Sequence, residues 1–273
     1  MISSNIVKNF FNNFDIIKYP LFVGILLSIT AAILGVVLVL KRYSMIGDGL
    51  SHVSFGVYAI AIGVGFTKIP LLIVIPVVIF RIGESTKVKS DAAIGLFSSS
   101  ALAIGYIFGS LKHGGFSTDI NSLMFGSIVF ANRQDLIIML ITAALVIGLF
   151  IIFYNRIFAV TFDEPFAKAT GTNTRLFNML FASLTAITIV IGMRIMGTLL
   201  ISSIIIFPAL SSMQVFRKFK NVIVSSALIS LLSFLITFFV FTNLPFGASV
   251  VVVNLAIFII FVIVGKFKRR YGN

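Results

Sequence analysis

Asp48 and His52 have the residue types and the spacing for metal chemistry. They lie in the stretch Ser44-Met45-Ile46-Gly47-Asp48-Gly49-Leu50-Ser51-His52. On a helix, residues four apart share a face, with Cβ atoms about 5–6 Å apart. A carboxylate oxygen and an imidazole nitrogen so placed can reach one divalent cation, the acid supplying charge and the imidazole borderline softness. His52 is one of two histidines and stands one turn inside an apolar segment. An ionisable side chain is expensive there and points to function. Ser51 lies beside the pair, and Gly56, Ala59 and Gly63 continue the same face. Small residues of this kind leave room for a pathway or for a close helix neighbour. Two donors fall short of a tetrahedral site, but a twofold axis between two copies would supply four. The structural alternative is that Asp48 caps the helix and His52 hydrogen-bonds a neighbouring span.

Other polar positions carry less chemistry. Asp91 precedes an apolar run and suits either a helix cap or a pathway residue. His113, in Lys112-His113-Gly114-Gly115, reads as a loop histidine. Met193 and Met196 flank Arg194; thioethers suit copper(I), and they suit packing as well. Ser202, Ser203, Ser211 and Ser212 surround Pro208, which should kink or end its helix. These serines can satisfy freed carbonyls or line a polar path. In Phe162-Asp163-Glu164-Pro165-Phe166-Ala167-Lys168-Ala169-Thr170-Gly171, an acid beside proline marks a helix start and Gly171 a stop. Such a short helix between spans is either a docking knob for a cytoplasmic partner or a plain surface helix.

The elements that must position these residues are membrane spans. Of 273 residues, 59% are hydrophobic and 11% charged, and the mean hydropathy is +1.15. Soluble domains average about 25% charged, so eight acidic residues and 30 Phe exclude a soluble enzyme. Without cysteine there is no disulfide, thiolate zinc site or thiol nucleophile. A span needs about 20 mainly apolar residues. The candidates are 20–40, 46–66, 69–83, 92–111, 135–153, 176–193, 195–212, 222–242 and 248–265. The third is short and holds Pro70 and Pro76, so we expect eight or nine spans in an all-α, polytopic helical bundle forming a single domain over 1–273. The first run is too long for a cleaved signal and is expected to remain as a span.

The net charge of +13 is not a nucleic-acid signature, because the basic residues cluster in short loops between apolar runs. With the C-terminus cytoplasmic, the inside segments hold 15 of the 21 Lys and Arg, which favours that orientation and contact with anionic lipid. The longest loop between spans, 154–175, then faces the cytoplasm. No phosphate-binding loop, nucleophile elbow or zinc-protease motif is present, so the chain is expected to be no enzyme and to hold no permanent cofactor.

Five places together resemble the permease subunit of the zinc/manganese/iron ABC importers. They are Gly47-Asp48 with Leu50-Ser51-His52, Asp91 with Ile94-Gly95, Leu123 with Phe125-Gly126-Ser127, Phe162-Asp163 with Ala167 and Gly171, and Gly197 with Leu199-Leu200 through Pro208-Ala209. The chain departs from the family's usual pattern at Gly49, at the order Glu164-Pro165 and at Leu210. The resemblance implies a homodimer with two cytoplasmic P-loop ATPase subunits and an extracytoplasmic metal-binding protein, in the cell membrane. It implies that Asp48 and His52 lie on the metal path; the residue types and positions of Ser51, Asp91, Ser202 and Pro208 make them further pathway candidates. It makes the loop with Asp163, Glu164, Phe166, Ala167 and Gly171 the coupling helix for the ATPase. Zinc, manganese or iron would be cargo, and ATP would bind the partner. Two competing expectations are a secondary cation transporter or channel, and a permease for a metal chelate such as a siderophore.

Overall fold

A computed structural model describes residues 14–42, 44–64, 90–110, 131–241 and 244–271. Among these residues the chain is helical, without strands. The elements are α1 (Phe14–Leu40), α2 (Ser44–Val64), α3 (Ser90–Ser110), α4 (Arg133–Ile152), α5 (Tyr154–Phe162), α6 (Glu164–Ala169), α7 (Thr174–Met196), α8 (Thr198–Val215), α9 (Phe219–Val240) and α10 (Phe246–Tyr271). Helices are the natural result, since backbone polar groups in lipid must be satisfied within the segment.

Helices α1 and α8 form the centre. α1 is apolar all round, which suits a helix enclosed by others. Val23, Leu27, Ala31, Leu34 and Val37 along it are buried. α8 packs against α1, α2, α7, α9 and α10. One apolar cluster joins Leu27, Ile201, Phe234 and Val250; a second, nearer the α5–α6 end, joins Leu34, Ile157, Ala167, Phe181 and Phe219. Where lipid tails are as apolar as leucine, helix association depends on close packing and hydrogen bonds. Ser230 Oγ of α9 donates to the Ser28 carbonyl of α1 at 2.8 Å. Helices α2 and α3 approach so closely at Gly56 and Gly105 that a Cβ on Gly105 would lie 2.6 Å from the Gly56 Cα.

Among the described residues, five helical stretches are long and apolar enough to cross a membrane: Ile17–Leu40, Arg133–Ile152, Thr174–Met193, Phe219–Val240 and Phe246–Lys268. This is fewer than the eight or nine expected. The expected spans 46–66, 92–111 and 195–212 coincide with α2, α3 and α8; the described apolar stretches of the last two, Ser98–Phe108 and Leu200–Val215, are shorter than a span. The expected span 69–83 and His113 lie outside the described residues, as does the Leu123 to Ser127 motif.

One end of the bundle is fixed by side-chain contacts. Lys41, just past α1, pairs with Glu164 of α6. Tyr154, Phe158 and Phe162 of α5 stack on Phe219 at the start of α9. Lys268 of α10 reaches the Val215 carbonyl of α8 at 3.3 Å. The same end carries Arg156, Lys168, Arg175, Arg217, Lys218 and Lys220.

Candidate functional site

Helix α2 begins at Ser44, so Asp48 sits in its second turn and is not its cap. Asp48 and His52 share a face: His52 Nε2 is 3.5 Å from Asp48 Oδ2. That is longer than an ordinary hydrogen bond of about 2.7–3.2 Å. The two side chains are partly open, 42% exposed for Asp48 and 21% for His52. Among the described residues no neighbouring span takes a hydrogen bond from His52: its Nδ1 is buried and finds no partner there.

Helix α8 completes the arrangement. Ser202 Oγ lies 3.1 Å from Asp48 Oδ1 and 3.3 Å from the Thr198 carbonyl. A hydroxyl has one proton, so the two acceptors share it, and the charged carboxylate is the stronger. Ser202 reaches Asp48 because α8 starts where it does. Gly197 separates α7 from α8 with φ +87° and ψ 162°, a combination open essentially to glycine alone.

The other pathway candidates are placed differently. Ser51 is fully buried and spends its hydroxyl on the Asp48 carbonyl at 2.7 Å. Asp91 is the second residue of α3; its side chain lies outside the described residues. Pro208 is buried within α8, and the helix continues past it to Val215. Of the two expected effects of Pro208, a kink or an end, the end does not occur; Ser212 Oγ donates to the Pro208 carbonyl at 2.9 Å, and apolar neighbours hold the turn. Met193 packs against Phe55 and Ala59, and Met196 lies in the central cluster, so both act as filling. Among the described residues no three His, Cys, Asp or Glu side chains gather into a metal cage. Each chain thus offers the Asp48–His52 pair.

The loop 154–175 folds into α5 and α6. Asp163 caps α6, its Oδ1 accepting from the Phe166 N–H at 2.9 Å, and Pro165 follows in the first turn. The end is a Schellman turn: the Thr172 N–H meets the Ala167 carbonyl at 3.0 Å and the Gly171 N–H meets that of Lys168 at 3.1 Å. Gly171 has φ +83° and open space around it, so backbone conformation alone calls for glycine. Phe162 and Phe166 are exposed, whereas Ala167 is fully buried in the second apolar cluster. Asp163, Glu164, Phe166 and Gly171 face outward, and Ala167 seats the helix from within.

Three polar residues escaped the sequence reading. Asn254 of α10 is buried and its Nδ2 donates to Ser203 Oγ at 3.3 Å. A lone amide in an apolar run was the available signal. Lys41 and Asn178 meet Glu164, and no spacing rule links residues so far apart.

This is the architecture of a multi-pass membrane transport subunit, with a polar pair inside the bundle and a structured loop at its basic end. The sequence matches the ABC 3 transport family over residues 13–265, and the chain belongs to that family. It is 29% identical to the manganese import system permease protein ScaB of Streptococcus gordonii, across 95% of each chain. It is 26% identical to the high-affinity zinc uptake system membrane protein ZnuB of Haemophilus influenzae, across 94% of this chain and 99% of that one. The structure of PsaBC from Streptococcus pneumoniae in complex with Fab superposes with a TM-score of 0.83 at 27% identity, covering 96% of this chain and 95% of that one.

Proposed function

We propose that this chain is the permease subunit of an ATP-driven importer that carries a divalent transition metal, zinc, manganese or ferrous iron, into the cytoplasm. The observation that carries the reading is the Asp48–His52 pair. Two ligands each about 2.1 Å from a tetrahedral ion sit about 3.4 Å apart. Asp48 Oδ2 and His52 Nε2 stand at 3.5 Å without a bridging proton contact of ordinary length. The family and the relatives named for zinc and manganese support the same cargo class.

In this reading α2, α3 and α8 also cross the membrane, which gives eight spans, and nine if 69–83 crosses as well. The basic end faces the cytoplasm, as the bias of Lys and Arg favours. Two copies pair, two P-loop ATPase subunits dock on the exposed faces of α6, and an extracytoplasmic metal-binding protein delivers cargo. ATP binding and hydrolysis in the partner alternate access to Asp48 and His52, while Ser202 holds the carboxylate. A site with two protein donors suits transit rather than retention.

The test is uptake of Mn(II) and Zn(II) by the permease–ATPase complex in proteoliposomes, with the metal-binding protein supplied. His52→Ala should cut uptake by at least about 10-fold, the lower range for disturbing a metal ligand set, while the complex still assembles. Unchanged uptake in that variant, or transport of a metal chelate in place of the ions, refutes the assignment.

A further inference from the structure

We propose that Lys41, Glu164 and Asn178 are the link that carries movement of α6 into the α1–α2 junction, which makes Lys41 and Asn178 positioning residues of transport. The inference rests on the reading of α6 as the ATPase-docking helix.

The three side chains close a triangle across three elements. Lys41 Nζ donates to Asn178 Oδ1 at 2.5 Å and pairs with Glu164 Oε2 at 3.5 Å. Asn178 Nδ2 donates to Glu164 Oε1 at 2.9 Å. Glu164 opens α6, Asn178 lies in the second turn of α7, and Lys41 immediately follows α1. The opposite side of α6 is pinned by Ala167 in the core. Thus α6 is gripped on both sides, and the polar grip leads to α1.

The connection from Lys41 to α2 is short. The Lys41 N–H still bonds the Val37 carbonyl at 2.9 Å, completing the last turn of α1. Arg42 then takes φ +61°, a left-handed conformation that costs a residue with a side chain about 1–2 kcal/mol. Helix α2 starts at Ser44, with Asp48 in its second turn. Two residues separate Lys41 from the helix that bears Asp48 and His52, so a displacement of Lys41 has a short way to travel.

Stability does not account for this arrangement. The Lys41 side chain is 11% exposed and its partner Glu164 is 46% exposed. Burial pushes the Lys41 ammonium below its ordinary range and outweighs the attraction of Glu164. Such a pair contributes little to net stability, and specifying geometry is the better-attested use of buried ionic contacts.

The experiment uses the permease–ATPase complex, with three readouts: co-purification of the ATPase subunit, ATP hydrolysis, and Mn(II) or Zn(II) uptake per ATP hydrolysed. Lys41→Met and Asn178→Ala should co-purify with the ATPase at the wild-type ratio and still hydrolyse ATP, while uptake per ATP falls at least about 10-fold. Lys41→Arg keeps the charge and should retain most of the uptake. Lys41→Glu combined with Glu164→Lys should recover uptake lost in Lys41→Glu alone. Wild-type coupling in Lys41→Met overturns the link, and so does loss of ATPase co-purification there, which would make Lys41 part of the docking surface. If instead Phe166→Ala leaves co-purification intact, the α6 docking reading fails, and that outcome is separate from the behaviour of Lys41.

Discussion

Gly105→Ala tests whether the close approach of α2 and α3 holds the Asp48–His52 pair in place. The added Cβ would lie 2.6 Å from the Gly56 Cα, 3.1 Å from the Gly56 carbonyl oxygen and 3.3 Å from the Ala59 Cβ. Carbon atoms rest at about 3.5–4.0 Å, so the helices must part by about 1 Å. The clashing atoms are backbone and a Cβ, which cannot rotate away. Overpacking of this kind costs about 1–3 kcal/mol. Gly148→Ala is the matched control, because nothing lies within 4 Å of a Cβ there. In the control only helix propensity changes, a gain of about 0.5–1 kcal/mol. At about 2–4 °C per kcal/mol for a chain of this size class, the combined difference should separate the two variants in Tm by roughly 3–16 °C in detergent. Gly56 lies one turn beyond His52, so the same displacement moves the pair away from Ser202. Uptake should therefore fall in Gly105→Ala and persist in Gly148→Ala. Equal melting temperatures in the two variants would refute the packing argument; equal uptake would refute its connection to the site.

Three further outcomes rest on single residues. Gly197→Ala forces a side chain into φ +87°, a strain of about 1–3 kcal/mol at the α7–α8 turn; uptake should drop more than Tm, and a variant with normal uptake would show that this turn does not position Ser202. Ala167→Glu buries a charge in the second apolar cluster and should destabilise the whole chain, whereas Phe166→Ala should weaken ATPase co-purification and leave Tm unchanged; the reverse pattern would mean that the two faces of α6 are misassigned. Lys41 predicts a pH dependence. Because burial lowers its pKa below the ordinary 10.5, the unfolded chain holds more protons in the window between the lowered value and 10.5. Stability contributed at Lys41 therefore rises with pH through that window, and below it the full desolvation cost is present. The Tm of wild type relative to Lys41→Met should climb as alkaline pH is approached, and a flat difference contradicts the burial.

Much of this protein was legible without coordinates. Composition alone demanded membrane helices, since too few charges exist to cover a soluble surface. Asp48 and His52 were visible because four-residue spacing on a helix fixes a shared face whatever surrounds it. Asp163, Pro165 and Gly171 marked α6 because caps and stops are local events governed by the backbone of a few residues. Only tertiary structure decided what met these elements. It brought Ser202 to Asp48 from a helix far along the chain, turned Ala167 inward and Phe166 outward, and carried α8 past Pro208. It joined Lys41, Glu164 and Asn178, and it pressed α2 on α3 at Gly56 and Gly105. These contacts depend on how helices pack, and no periodicity within one segment encodes which face of another segment will lie against it.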